Sequence, residues 1–167
     1  MRRRTVLAGG GVGLASLLGG CSSASTVLDD SPSLPAELSV REAHVVYDVL
    51  EPRDRAAPGY KETAHRVFTE RDEAMGSLAS GHLPPDLLDD TDFERSFLVV
   101  VQYGRQSATW LELDRIERTD DGLDIVARVE EPSGGYGDDL AIHSLLVRIT
   151  DRRAGVPDHV SATVHDT

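Results

Sequence analysis

Phe97-Leu98-Val99-Val100-Val101 is apolar at five consecutive positions. A strand sends successive side chains to opposite faces of its sheet, so such a run belongs to a central strand covered on both faces. The rest of the chain has to supply that cover, and it does so mainly with half-buried strands.

From Leu38 to Leu50, Ala43, Val45, Tyr47 and Val49 alternate with Glu42, His44, Val46 and Asp48, which predicts one strand. A loop rich in proline and charge follows, and then a short strand, Ala64 to Phe68, leads into the one credible helix. Thr69 is its expected cap, with Asp72 at the third helical position; Ala74, Met75, Leu78 and Ala79 form its stripe and Gly81 its stop. Gly76 costs this helix about 1 kcal/mol relative to Ala, so the helix must lean on the sheet. Thr109 to Ile116 puts Leu111 and Leu113 on one face, and Asp120-Asp121-Gly122 makes a tight turn. Leu123, Ile125, Ala127 and Val129 then alternate with Asp124, Val126, Arg128 and Glu130. After a glycine loop at Pro132 to Asp139, Ile142 to Ile149 places Leu145, Val147 and Ile149 in step. A last strand, Val156 to Val164, does the same with Val160, Ala162 and Val164. The expected fold class is mainly β, an antiparallel sheet or sandwich-like domain with one short helix, over residues 37–167.

The stretch ahead of this domain reads as an address. Arg2, Arg3 and Arg4 precede an uncharged run from Val6 to Leu18, and Leu18-Gly19-Gly20-Cys21 follows. A basic head, a short apolar middle and small residues at a cut describe an export signal, here residues 1–20. The apolar run is shorter than the about 20 residues a helix needs to cross hydrocarbon. Leu18-Gly19-Gly20-Cys21 resembles the lipobox of secreted lipoproteins, which implies that Cys21, the only cysteine, is lipidated and becomes the new N-terminus. Arg3-Arg4-Thr5-Val6-Leu7 resembles a twin-arginine export motif. Residues 21–36 then read as the lipidated cysteine and a flexible tether, mostly Ser, Thr, Ala, Asp and Pro. The expected location is the outer face of the cytoplasmic membrane.

Charge narrows the partners. The chain holds 18 Asp and 11 Glu against 16 Arg and a single Lys, Lys61, for a net charge of −12, or −15 once Arg2 to Arg4 are cleaved away. So acidic a surface repels nucleic acid. Scattered acids with almost no lysine resemble the composition of halophilic proteins, in which salt screens self-repulsion.

Motifs for catalysis are scarce. His44, His65, His82, His143, His159 and His165 include no His-Glu-x-x-His pair, and no Gly-x-Ser-x-Gly elbow occurs. Asp89-Asp90-Thr91-Asp92 and Asp138-Asp139 could offer oxygen to calcium but lack the spaced ladder of a calcium loop, so no metal or other cofactor is expected. Trp110 and Tyr136 are the sharper candidates. Trp110 falls out of step with Leu111 and Leu113, so it should point away from the face they bury; Tyr136 sits in the glycine loop. Exposed aromatics of this kind are candidate anchors for a protein partner, with folding back onto the core as the alternative.

Asp92-Phe93, Phe97-Leu98-Val99-Val100-Val101 and Gly104 are followed by Leu123-Asp124-Ile125-Val126-Ala127, Pro132-Ser133-Gly134-Gly135 and His143-Ser144-Leu145-Leu146-Val147-Arg148-Ile149. In order of elements, most of residues 60–165 resembles the C-terminal domain of PrcB-type proteins. Those are secreted, non-catalytic lipoproteins that stabilise a surface protease complex. The family's Thr-Gly-Gly-Tyr turn is replaced here by Gln106-Ser107-Ala108-Thr109-Trp110. The resemblance implies a non-enzymatic cell-surface domain that binds or stabilises a protein. The alternatives are an enzyme with an unrecognised metal or carboxylate site, or a protease inhibitor that presents loops.

Overall fold

The computed structural model describes residues 31–51, 56–133 and 139–166. In chain order the elements are β1 (Leu38–Val45), β2 (Thr63–Phe68), α1 (Arg71–Ser77), β3 (Ser96–Arg105), β4 (Trp110–Arg118), β5 (Gly122–Glu130), β6 (Ala141–Asp151) and β7 (His159–His165). The domain is mainly β, a two-sheet sandwich with one short helix.

All ten residues of β3 are buried, the five of the apolar run as expected and the polar Ser96, Gln102 and Arg105 with them. It sits inside a four-stranded antiparallel sheet of order β1-β6-β3-β2, with Val99 opposite Val147 and Val101 opposite Leu145. Phe97, Val99 and Val101, with Leu145, Val147 and Ile149, face the second sheet, whose Leu111, Leu113, Ile125 and Ala127 complete the inner core. Leu98, Val100 and Leu146 face the other way, under Phe68, Ala74, Leu78 and Leu87. Sheet, sheet and a layer of helix and loop therefore stack in that order, with β3 and β6 covered on both sides.

The second sheet has the order β4-β5-β7 and contains a parallel pair, β5 with β7, where only antiparallel pairing was expected. Parallel neighbours need a crossover between them. Here the crossover is β6, a strand of the facing sheet, which turns the chain round so that it re-enters in its earlier direction. The β4–β5 hairpin closes as predicted at Asp120-Asp121-Gly122, where Thr119 N–H donates to the Gly122 carbonyl at 3.0 Å.

Other expectations need correction. The first strand stops at Val45 rather than Leu50. Asp48 Oδ1 accepts the Leu50 N–H at 3.3 Å and Gln102 Nε2 at 2.9 Å, a side-chain turn that lifts Val49 and Leu50 into the outer core. The helix is capped by Glu70, not Thr69, with no side-chain bond, and it ends at Ser77, before Gly81. Glu51 N–H on the Ser77 carbonyl and Ala79 N–H on the Val49 carbonyl draw the chain out of the helix into a short bridge with residue 50. Met75, expected in the apolar stripe, is 57% exposed. The last strand starts at His159 rather than Val156, which is exposed. Ser33 and Leu34, in the segment read as tether, belong to the domain: Ser33 N–H donates to the Asp114 carbonyl at 3.0 Å and Leu34 packs on the inner core.

Candidate functional site

Trp110 opens β4, an edge strand of the three-stranded sheet, and the pleat sends it opposite to Leu111 and Leu113. Leu111 and Leu113 are 2% and 1% exposed, whereas Trp110 is 37% exposed. The indole Nε1–H donates to Glu112 Oε1 at 2.8 Å. Arg128 NH2 takes the other oxygen of that carboxylate at 2.9 Å and Arg128 Nε reaches Glu130, whose Cα is paired with that of Trp110. One guanidinium thus gathers the carboxylates of Glu112, Glu130 and, at 3.6 Å, Asp114, and the indole is held to the first of them by a polar bond while the residue stays 37% exposed. Tyr136, the other predicted anchor, lies outside the described residues, as do Arg3, Arg4, Leu18, Gly19, Gly20 and Cys21.

Histidine spacing gave no hint of what β1 and β6 bring together. His44 Nε2 and His143 Nδ1 are 3.1 Å apart, and the rings stack at 5.3 Å with 9° between their planes. His143 Nε2 lies 2.9 Å from the Gln106 carbonyl, which can only accept, so His143 carries its proton on Nε2 and accepts on Nδ1 from His44 Nε2–H. Burial, then the neighbouring imidazole, pushes the His44 pKa down to about 4, and burial pushes His143 down as well. Both rings are therefore neutral at pH 7. Thr109 Oγ1 is 3.4 Å from His143 Nε2, but the hydroxyl donates to the Gln106 carbonyl at 2.8 Å and faces a ring nitrogen that is itself a donor. An imidazole in that tautomer cannot take the Thr109 proton, so the trio is a folded-in hydrogen-bond chain rather than an activated nucleophile.

The only lysine also has a structural post, one that its rarity could have flagged. Lys61 Nζ and Tyr103 Oη both reach Asp166 Oδ2 at 2.9 Å, and Arg105 NH2 bonds Glu131 at 2.6 Å and lies 3.2 Å from Asp166. Burial alone would raise the Asp166 carboxyl, but the bonds from Lys61 and Tyr103 and the charges of Arg105 and Lys61 outweigh it and hold the group below its ordinary value. Burial and the same carboxylate push Tyr103 up to about 12. Nearly covered side chains, 8% exposed at Arg105 and 7% at Asp166, make this a clamp on the chain near residue 166.

The acidic run considered for calcium makes these contacts within the chain. Asp89 binds Arg71 at 2.5 Å, Asp90 binds Arg41 at 3.2 Å, and Asp92 Oδ1 accepts the Glu94 N–H at 3.1 Å. Of the other pair, Asp138 lies outside the described residues, and Asp139 is held below its ordinary value chiefly by a side-chain bond from Ser107. Comparison with family models, curated proteins and solved structures gives no match.

Proposed function

We propose that the chain is an exported lipoprotein, held at the outer face of the cytoplasmic membrane through Cys21, whose sandwich binds and stabilises a partner protein without catalysing a reaction. The observation that carries the binding half of this reading is Trp110, open on a sheet face with its indole N–H already fixed on Glu112. A pre-set aromatic loses little side-chain freedom on docking, which is why tryptophan anchors interfaces. The lipid anchor rests on Leu18-Gly19-Gly20-Cys21, and a role in a surface protease complex rests on the PrcB-like order of elements. Two acyl chains give stable attachment where one is marginal.

Crosslinking in native membranes at high salt, followed by capture of the chain, tests both halves. The expected result is a specific crosslinked protein, with Cys21→Ser releasing the domain to the medium or leaving uncleaved precursor. A Cys21→Ser protein that is cleaved and still sediments with washed membranes refutes the anchor. Absence of any specific crosslinked protein refutes the binding role.

A further inference from the structure

Seven of the eleven described arginines (41, 66, 71, 105, 115, 118 and 128) pair with carboxylates, as expected of so acidic a domain. Among the described residues Arg95, Arg148, Arg152 and Arg153 have no carboxylate within ion-pair distance, and the first three line one open groove of about 370 Å³. Its position follows from the register. Thr150 of β6 is paired with Ser39 of β1 on one side and with Ser96 of β3 on the other, so three hydroxyl residues form a row across three adjacent strands. They lie on the face of the four-stranded sheet that carries Leu98 and Leu146, beyond the end of the helix-and-loop layer. Ser96 Oγ and Thr150 Oγ1 are 2.7 Å apart. Arg148 donates to the Asp90 carbonyl at 2.9 Å, which fixes one guanidinium beside the row.

Two carboxylates, Asp90 and Asp92, also line the groove, but Asp90 is neutralised by Arg41 and Asp92 accepts the Glu94 N–H. Asp92 keeps its charge, so the local balance is three guanidiniums without an ion-pair partner against one such carboxylate, over a hydroxyl floor, on a chain of net charge −12. Guanidinium pairs its N–H groups with oxyanions in a fixed planar fork, and hydroxyls donate to the remaining oxygens. We propose that this groove, Arg95, Arg148 and Arg152 over Ser39, Ser96 and Thr150, is a binding site for a tetrahedral oxyanion, a phosphate or sulfate group, free or carried on a larger molecule. The site is independent of the Trp110 face, which lies on the other sheet.

The test is titration calorimetry on the mature chain with inorganic phosphate, inorganic sulfate, phosphoserine and a sulfated monosaccharide, at ionic strength held constant with KCl. Saturable binding is expected, weakened about tenfold for each of Arg95→Gln and Arg152→Gln, and unchanged by Arg153→Gln, which removes an unpaired arginine outside the groove. Because both arginines are exposed, melting temperatures should be unaffected. Tighter binding of an ester than of the free ion assigns the groove to a substituted ligand, and equal binding assigns it to the ion itself. No saturable heat above the KCl control, or equal affinity in the Arg95→Gln/Arg152→Gln double variant, overturns the proposal.

Discussion

Glu42 of β1 reaches across the edge of the sandwich and accepts the backbone N–H of Leu113 on β4 at 3.0 Å. The bond lands where the β4–β5 register shifts between Leu113 and Arg115, a bulge that unsettles the ladder. At the opposite edge His65 Nε2 lies 2.9 Å from the Val160 carbonyl of β7 and donates to it. A side chain of one sheet thus satisfies a backbone group of the other at both open edges, in place of the ladder that would close a barrel. Glu42→Ala should lower unfolding free energy by about 1 kcal/mol, and Glu42→Gln, which keeps an acceptor, by clearly less. Chemical denaturation of both variants measures this, and equal losses would show that the Leu113 bond contributes nothing.

The His44–His143 pair gives the domain a defined response to acid. His44 has an ordinary value of 6.5 and a folded value of about 4, so the unfolded chain binds its proton first as pH falls. Stability from the neutral His44 is complete above pH 6.5 and is lost progressively down to about pH 4, and the lowered His143 acts in the same sense. Urea unfolding at pH 7 and pH 5 should show that loss, and His44→Gln should reduce it. Imidazole nitrogen shifts should report His44 still neutral at pH 5.5, and at pH 7 the His143 proton on Nε2. A ring titrating at 6.5 would contradict the arrangement.

Two glycines should respond in opposite senses. A Cβ on Gly104 would overlap the Gly59 carbonyl, because residues 59–62 run against β3 there, with Lys61 N–H on the Gly104 carbonyl at 2.8 Å. A Cβ on Gly76 meets nothing within 4 Å. Thermal melts should therefore show Gly76→Ala stabilised by about 0.5–1 kcal/mol and Gly104→Ala destabilised. A neutral Gly104→Ala would mean that the 59–62 segment yields easily.

What could be read from the sequence tracks what is local. Phe97 to Val101 announced a strand covered on both faces, and the alternation from Leu123 to Val129 gave its inner face residue by residue. The second face of β6 went unseen because Leu146 lies between two residues already in step, and its cover comes from Phe68 and Leu78, far off in sequence. The helix limits failed for a similar reason: backbone bonds from Glu51 and Ala79, not a cap or a glycine, end it. The exposure of Trp110 followed from parity with Leu111 and Leu113. His44 with His143, and Ser39 with Thr150 and Ser96, meet only through strand register, which no spacing encodes.

The central claim, that Trp110 is a docking residue and not part of the core, is tested most directly by a paired comparison of Trp110→Ala and Leu111→Ala. Each variant is scored for melting temperature and for recovery of crosslinked protein from native membranes. Leu111→Ala opens a cavity in the inner core and should cost about 2–5 kcal/mol of stability. Trp110→Ala should melt close to the unaltered protein and lose its crosslinked protein, since a truncated aromatic anchor costs about 2 kcal/mol or more, roughly thirtyfold in affinity. Full recovery of the crosslinked protein by Trp110→Ala, or a fall in its melting temperature as large as that of Leu111→Ala, would contradict the account.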